Sequence, residues 1–126
     1  MSKNILVIDD DELIVKSLRK LLGSQGHNAT VVKSGKKAIE EVKKGDFHLI
    51  ISDIRMPELD GIETIKQIRD YLKQAGKEPV PEILITGYAD EGKYKEALDL
   101  KVADYIFKPF DINELIEKVK RNLGDV

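Results

Sequence analysis

The sequence predicts an α/β fold, an open doubly wound sheet of five parallel strands. Short aliphatic runs alternate five times with segments whose apolar residues recur at helical spacing. The aliphatic runs are continuous, which is typical of parallel strands that are buried on both faces. Five strand–helix units are too few for the closed eight-stranded barrel, so we expect an open sheet covered by helices on both faces.

The first predicted strand runs from about Asn4 to Ile8 and leads into the first helix. That helix is indicated by apolar residues at helical spacing, which are Leu13, Ile14, Leu18, Leu21 and Leu22. Gly23 and Gly26 follow as stop signals. A short second strand then spans Ala29 to Val32.

Ser34 is placed to cap the second helix, because a serine oxygen accepts hydrogen bonds from the unpaired N–H groups of a first helical turn. That helix carries Ala38, Ile39 and Val42, and Gly45 should end it. The third strand spans His48 to Ser52. After a turn with Met56, Pro57 and Gly61, the third helix shows one apolar stripe of Ile62, Ile65, Ile68 and Leu72.

The last two units follow the segment GKEPVPE, which closes the third helix. The fourth strand spans Glu82 to Ile85, and a weakly patterned fourth helix holds Tyr94, Ala97 and Leu98. The fifth strand spans Asp104 to Phe107. Asp111, with Glu114 three positions later, is a capping-box-like start of the final helix. That helix is lined by Ile112, Leu115, Ile116, Val119 and Leu123.

Length and composition limit the class of protein. A chain of 126 residues is one ordinary domain. The absence of cysteine excludes a disulfide framework, a thiolate metal site and a cysteine nucleophile. The start MSKNILVIDDDE has no long apolar stretch, so we expect a cytoplasmic location. A net charge of -2 with interleaved lysines and acids predicts no direct binding to nucleic acid or membrane, and favours a protein partner.

Four of the aliphatic runs each stop at a residue useful for chemistry. They are ILVI before Asp9 and Asp10, LIIS before Asp53, EILI before Thr86, and DYIF before Lys108. Because ligands of open α/β sheets bind outside the carboxyl ends of the strands, we expect these residues to meet in one crevice. Close carboxylates repel one another unless a cation compensates. Hard oxygen ligands without imidazole or thiolate favour Mg²⁺, or alternatively Mn²⁺.

This set of residues is suited to moving a phosphoryl group onto a side chain. In-line attack by the Asp53 carboxylate would give an aspartyl phosphate. Lys108 would oppose the remaining negative charge. The Thr86 hydroxyl would donate a hydrogen bond to a phosphoryl oxygen and so report that phosphate has arrived.

The ordered motifs ILVIDD, SDIRMPELDG, ILITGYA and DYIFKPFD resemble the receiver domain of two-component response regulators, over essentially the whole chain. The resemblance implies a flavodoxin-like fold with strand order 2-1-3-4-5 and one receiver domain over residues 1–126. It also implies a phosphorylation-activated signalling switch that catalyses only its own phosphorylation and dephosphorylation. The phosphoryl donor would be a histidine kinase or a phosphotransfer protein, and the target a downstream protein or an output domain. The chain would act as a monomer or a phosphorylation-dependent dimer.

The resemblance also assigns roles residue by residue. It makes Asp53 the phosphoacceptor and Lys108, which precedes a cis bond to Pro109, the site lysine. Mg²⁺ would be bound directly by Asp10, through water by Asp9, and by the backbone carbonyl of Arg55. Thr86 would be the switch hydroxyl and Tyr105 the switch aromatic. Readout would occur on the face of the fourth helix, fifth strand and fifth helix. Arg55 and Tyr88 occupy positions that tune the lifetime of the phosphate. The chain departs from many receivers at Lys101-Val102, where they carry Gly-Ala, so we expect a different end of the fourth helix.

Other interpretations are open at this stage. Taken singly, Asp10 and Asp11 are ordinary helix caps, and the other site residues are ordinary loop or strand-end groups. A phosphohydrolase of the haloacid-dehalogenase kind would need an aspartate two residues beyond its nucleophile followed by a small β-branched residue, whereas DDDEL continues with Glu12 and Leu13. A receiver-like scaffold that is never phosphorylated is disfavoured because every expected site residue is present. His27 and His48 lack metal-ligand spacing and are interpreted as structural.

Overall fold

The computed structural model describes residues 3–87 and 91–124. Five parallel strands form one sheet in these residues: β1 (Asn4–Ile8), β2 (Asn28–Val32), β3 (Leu49–Asp53), β4 (Glu82–Gly87) and β5 (Asp104–Lys108). Five helices alternate with them: α1 (Glu12–Ser24), α2 (Gly35–Lys44), α3 (Gly61–Gln74), α4 (Glu91–Leu100) and α5 (Ile112–Leu123). The sheet order is β2-β1-β3-β4-β5. The predicted open, doubly wound fold and its strand order are therefore confirmed.

The core lies on both faces of the sheet, because successive residues of a strand point to opposite sides. In β1, Ile5 and Val7 belong to the apolar cluster shared with α1 and α5. Leu6 and Ile8 belong to a second cluster, shared with α2 and α3. A third cluster joins Leu84 of β4 to α3 and α4. This two-sided burial explains why the central strands read as continuous aliphatic runs.

Side-chain oxygens cap four of the described helices. Asp11 accepts from the N–H groups of Leu13 and Ile14, Ser34 from Lys37, Asp60 from Glu63, and Asp111 from Asn113. The predicted cap at Ser34 is confirmed. Asp111 is a cap as well, but its carboxylate bonds the N–H two residues on, whereas a capping box uses the N–H three residues on.

One predicted helix end differs in detail, and another helix is followed by a left-handed residue. Gly23 does not stop α1, since the helix continues to Ser24, and Gly26 then takes a left-handed φ of 80°. Lys101 follows α4 with a φ of 55°, a left-handed conformation that glycine adopts readily. Lys101 therefore adopts a backbone conformation that is less favourable for lysine than for glycine. In the described residues, no helix has the length and apolar content needed to cross a membrane.

Three strands extend further than their aliphatic runs predict. β3 ends at Asp53 rather than Ser52, β4 at Gly87 rather than Ile85, and β5 at Lys108 rather than Phe107. Backbone pairing continues past the last aliphatic residue, because register partners remain available on the neighbouring strands, as in Asp53 with Ile85 and Gly87 with Lys108. Asp53, Thr86 and Lys108 are thus held inside the sheet rather than on loops.

Candidate functional site

Four strand ends bring the predicted site residues to one edge of the sheet. Asp9 follows β1 directly, while Asp53 and Lys108 are the last residues of β3 and β5. Thr86 is the penultimate residue of β4. The strands are parallel and adjacent in the order given above, so their carboxyl ends open into the same crevice.

Three carboxylates converge in this crevice. Asp9, Asp10 and Asp53 each place one carboxylate oxygen within 4.8 Å of the others. Asp9 and Asp53 are buried, whereas Asp10 is exposed. Asp11, rather than Asp10, caps α1, so the carboxylate of Asp10 is not used as the helix cap.

Asp9 has one satisfied oxygen and one that is not. Its Oδ1 accepts a hydrogen bond of 2.9 Å from the backbone N–H of Asp11. Its Oδ2 is buried without a hydrogen-bond partner among residues 3–87 and 91–124. A buried carboxylate oxygen without a partner is costly, and a cation is the partner that a group of three acids would accept. All the side-chain donors are hard oxygens, which fits a divalent cation of the Mg²⁺ type.

The electrostatics agree with this geometry. Burial raises the pKa of Asp9 to about 6; the bond from Asp11 opposes the shift, and the nearby Asp53 adds to it. Burial also raises the pKa of Asp53, with Lys108 opposing the shift. The protein has therefore brought together carboxyl groups that are reluctant to ionise without a positive charge beside them.

Lys108 supplies one such charge. Its Nζ lies 3.2 Å from Oδ2 of Asp53. The Lys108–Pro109 peptide bond is cis, which is the isomer implied by the resemblance. The lysine thus lies against the acid that the sequence predicts to be the nucleophile.

Gly61 fixes the backbone of Asp53 from the other side. A Cβ at Gly61 would lie 2.1 Å from the carbonyl oxygen of Asp53, so no larger residue fits without a shift of the backbone. The Gly61 N–H also donates to the carbonyl of Ile54 at 2.8 Å. From the sequence, Gly61 is recognisable only as a turn residue. Its packing on Asp53 depends on a close approach between two backbone segments that no local pattern reveals.

Thr86 and Tyr105 lie on one face of the sheet. Thr86 is buried and is in register with Phe107, while Tyr105 is in register with Leu84 two residues earlier. The Tyr105 hydroxyl donates to the carbonyl of Ala97 in α4 at 2.7 Å. Tyr94 of α4 packs edge-on against Tyr105, with ring centroids 5.8 Å apart. Tyr105 is thereby in direct contact with α4.

The other residues singled out from the sequence lie in different places relative to the crevice. Arg55 is exposed and lies two residues beyond Asp53. Burial raises the pKa of Asp53, and the backbone groups of Ile54 and Arg55 are among those that oppose this shift. Tyr88 lies outside the described residues. His27 and His48 are away from the crevice, where their Nδ1 atoms accept the N–H groups of Lys3 and Asn4.

Several ion pairs that join separate elements are not evident from the sequence, and two of them connect α3 to its neighbours. Lys93 of α4 pairs with Asp60, the cap of α3, at 2.8 Å. Arg69 of α3 makes two hydrogen bonds to the buried Glu82 of β4, of 2.9 and 2.7 Å. The sequence suggests that Asp60, which precedes Gly61, caps a helix. It does not show that Asp60 pairs with Lys93 or that Arg69 pairs with Glu82, because the partners in each pair are far apart along the chain.

Comparisons with known proteins agree with this description. Residues 5–120 match the response regulator receiver domain family. The transcriptional regulatory protein CrdR of Helicobacter pylori is 33% identical over 126 residues, covering 99% of this chain and 57% of CrdR. The polar-differentiation response regulator DivK of Brucella ovis is 30% identical over 125 residues, covering 99% of each chain. The chain thus spans little more than half of one relative and nearly all of the other.

A solved structure resembles the whole fold. The receiver domain of the sensor histidine kinase PA1611 from Pseudomonas aeruginosa superposes with a TM-score of 0.84 at 28% identity, covering 98% of this chain and 99% of the other. That structure contains a magnesium ion coordinated in the active site cleft.

Proposed function

This chain belongs to the response regulator receiver domain family, and from that premise we propose that it is a phosphorylation-controlled switch with Asp53 as phosphoacceptor. Receiver domains are signalling modules rather than enzymes acting on external substrates. They interact with histidine kinases or phosphotransfer proteins and with output domains. Family membership favours this role over the phosphohydrolase considered from the sequence.

One observation carries the proposal. Asp53 belongs to the group of three carboxylates and also lies 3.2 Å from Nζ of Lys108, so within residues 3–87 and 91–124 it is the member of the group that has a side-chain cation in direct contact. A nucleophilic carboxylate that must approach an anionic phosphoryl group needs such neutralisation. Asp9 is engaged with the Asp11 N–H, and Asp10 is exposed. Asp53 is therefore the best-supported nucleophile.

In the proposed reaction, an Asp53 carboxylate oxygen attacks the phosphorus of a kinase phosphohistidine in line. The new O–P bond forms as the P–N bond breaks, and the donor imidazole leaves with the electron pair. Lys108 exchanges its contact with the carboxylate for contacts with phosphoryl oxygens. The chain would catalyse its own dephosphorylation in the same site. Water would attack the phosphorus, the bond between Asp53 and phosphorus would break, and inorganic phosphate would leave as the Asp53 carboxylate is restored.

Asp9, Asp10 and Asp53 would hold Mg²⁺ together with the backbone carbonyl of Arg55, and Mn²⁺ would substitute. The buried, unpartnered oxygen of Asp9 and the all-oxygen donor set support this assignment. When bound, the cation supplies neutralisation of the phosphoryl oxygens during transfer. The magnesium ion in the PA1611 receiver domain gives independent support.

The proposed readout is the surface formed by α4, β5 and α5. Thr86 would donate its hydroxyl to a phosphoryl oxygen and move toward Asp53. Its place beside Phe107, on the face that carries Tyr105, supports transmission to the tyrosine. The bond from Tyr105 to Ala97 then connects that tyrosine to α4.

Labelling with acetyl phosphate tests the assignment of Asp53. In the presence of Mg²⁺ the unmodified chain should take up one phosphate, and Asp53→Asn should take up none, because its amide has no anionic oxygen to attack phosphorus. Asp70→Asn is the matched control, since Asp70 is an exposed acid of α3 and should not affect labelling. Full labelling of Asp53→Asn would contradict the assignment.

A further inference from the structure

Asp60 uses both of its carboxylate oxygens to join two helices. Oδ1 accepts the N–H of Glu63 at 2.9 Å and so caps α3. Oδ2 accepts from Nζ of Lys93, on α4, at 2.8 Å. Lys93 also lies 3.3 Å from Glu96, one turn further along α4. Asp60 thus connects the start of α3, which it caps, to α4, with which it forms an ion pair.

The segment that ends at Asp60 begins beside the phosphoacceptor. Residues 54–60 connect Asp53 to α3, and the hydrogen bond from Gly61 to Ile54 closes this loop at its base. Arg55, whose carbonyl is the proposed cation ligand, lies within it. An open cleft separates the loop from α4, and Lys93 is the one residue of α4 among the described residues that line this cleft.

We propose that Lys93 is a positioning residue for the cation site, because its ion pair with Asp60 holds the loop of residues 54–60 in the arrangement that binds the cation. This inference rests on the proposed function of the site. The loop is tied at its base by Gly61, but Glu58 in its middle has a left-handed φ of 66°, which is unfavourable for a residue with a side chain. A second attachment at Asp60 stabilises such a loop against alternative conformations.

The size of the effect follows from population arithmetic. If the loop has the cation-binding arrangement in only a fraction of the molecules, the apparent dissociation constant for the cation rises by the inverse of that fraction. The side chains of Lys93 and Asp60 are 43% and 24% exposed, so the pair is partly screened by solvent. Its loss should weaken cation binding roughly two- to fivefold. By reciprocity, cation binding should strengthen the attachment of α4 to the loop by the same factor.

The electrostatic alternative predicts the opposite sign. Lys93 is a positive charge near a divalent cation, so its removal by charge alone should tighten Mg²⁺ binding. Lys93→Met would therefore weaken binding only if the lysine acts by positioning the loop. Lys95→Met is the matched control, since Lys95 is an exposed lysine of the same helix.

The experiment is a Mg²⁺ titration of the whole chain, followed by amide chemical shifts. Lys93→Met should raise the dissociation constant roughly two- to fivefold, while Lys95→Met should leave it unchanged or slightly lower. Asp60→Asn keeps an oxygen that can cap α3 but loses the ion pair. In the Asp60→Asn background, Lys93→Met should then cause no further weakening.

Unchanged or tighter binding in Lys93→Met would overturn the inference, and so would full additivity in the double variant. Both outcomes leave the proposed function intact, because the unmodified chain still binds Mg²⁺. Failure of the unmodified chain to bind Mg²⁺ would instead contradict the proposed function and the inference with it. Urea denaturation without Mg²⁺ must show that each variant is folded under the conditions of the titration.

Discussion

At the scale of one residue, the buried carboxylate of Asp9 lowers the free energy of unfolding of the chain. It is buried, and its Oδ2 has no hydrogen-bond partner in the part of the chain that the structure describes. Burial raises the pKa of its carboxyl group to about 6, from an ordinary value of 3.8. Because the pKa is higher in the folded state, ionised Asp9 destabilises the fold above about pH 6. This penalty disappears as the pH falls toward 3.8.

Asp9→Asn should therefore stabilise the chain without metal. The amide oxygen can still accept the bond from Asp11, while the charge beside Asp53 is removed. We expect the free energy of unfolding above pH 6 to rise by about 1–2 kcal/mol, measured by urea denaturation in a chelator. The gain should shrink as the pH is lowered, and an excess of Mg²⁺ should stabilise the unmodified chain more than the variant. A variant that is less stable than the unmodified chain in the chelator would contradict this account of Asp9.

In the proposed switch, Thr86 is the residue that separates phosphorylation from readout. Driving a switch from mostly inactive to mostly active needs about 5.5 kcal/mol of differential binding, more than one hydrogen bond provides. Lys108 and the cation would therefore share this work. The Thr86 hydroxyl would supply the contact with the phosphoryl group, on the sheet face that also carries Tyr105.

Thr86→Ala should still accept phosphate on Asp53, since the hydroxyl is not the nucleophile. Its phosphorylation-dependent amide shifts at Tyr105 and in residues 93–98 should be much smaller than those of the unmodified chain. Thr86→Ser keeps the hydroxyl and should retain most of the response. Shifts of full size in Thr86→Ala would exclude this route of readout even with Asp53 as phosphoacceptor.

At the scale of elements, the end of α4 contains a residue in an unfavourable backbone conformation. The resemblance places Lys101-Val102 where many receivers have Gly-Ala. The structure holds Lys101 in the left-handed region, at a φ of 55°. The lysine accepts a strained conformation that glycine adopts without a steric penalty.

Lys101→Gly should raise the free energy of unfolding by up to about 1 kcal/mol, because relief of the strain exceeds the entropy that glycine adds to the unfolded chain. The control is Lys95→Gly in the middle of α4, which should lower the stability by about 1 kcal/mol. Urea denaturation of both variants measures the two effects. A loss of stability in Lys101→Gly comparable to that of the control would contradict the assignment of strain.

At the scale of the whole molecule, the fold could be predicted because burial on both faces leaves a simple signal in sequence. The runs around Leu6 and Ile50 are continuous since alternate residues enter different apolar clusters. The site residues could be located because parallel strands end at one edge. Their roles depended on the motifs of a family, since Asp53 and Lys108 are individually unremarkable.

Contacts between distant segments could not be predicted. Glu82 begins a strand, and nothing beside it in sequence shows that Arg69 will bond it. Asp60 is readable as a cap, yet its partner Lys93 lies on the helix with the weakest pattern. Such pairs depend on the packing of α3 against β4 and α4, which becomes defined only once the sheet is assembled.

The identity of the phosphorylated side chain tests the central claim most directly. The unmodified chain is treated with acetyl phosphate and Mg²⁺, and borohydride then reduces the aspartyl phosphate to homoserine, which mass spectrometry locates in a peptide. The account predicts that the reduced residue is Asp53 and that its formation requires the divalent cation. Reduction at Asp9 or Asp10, or the absence of any reduced aspartate, would contradict it.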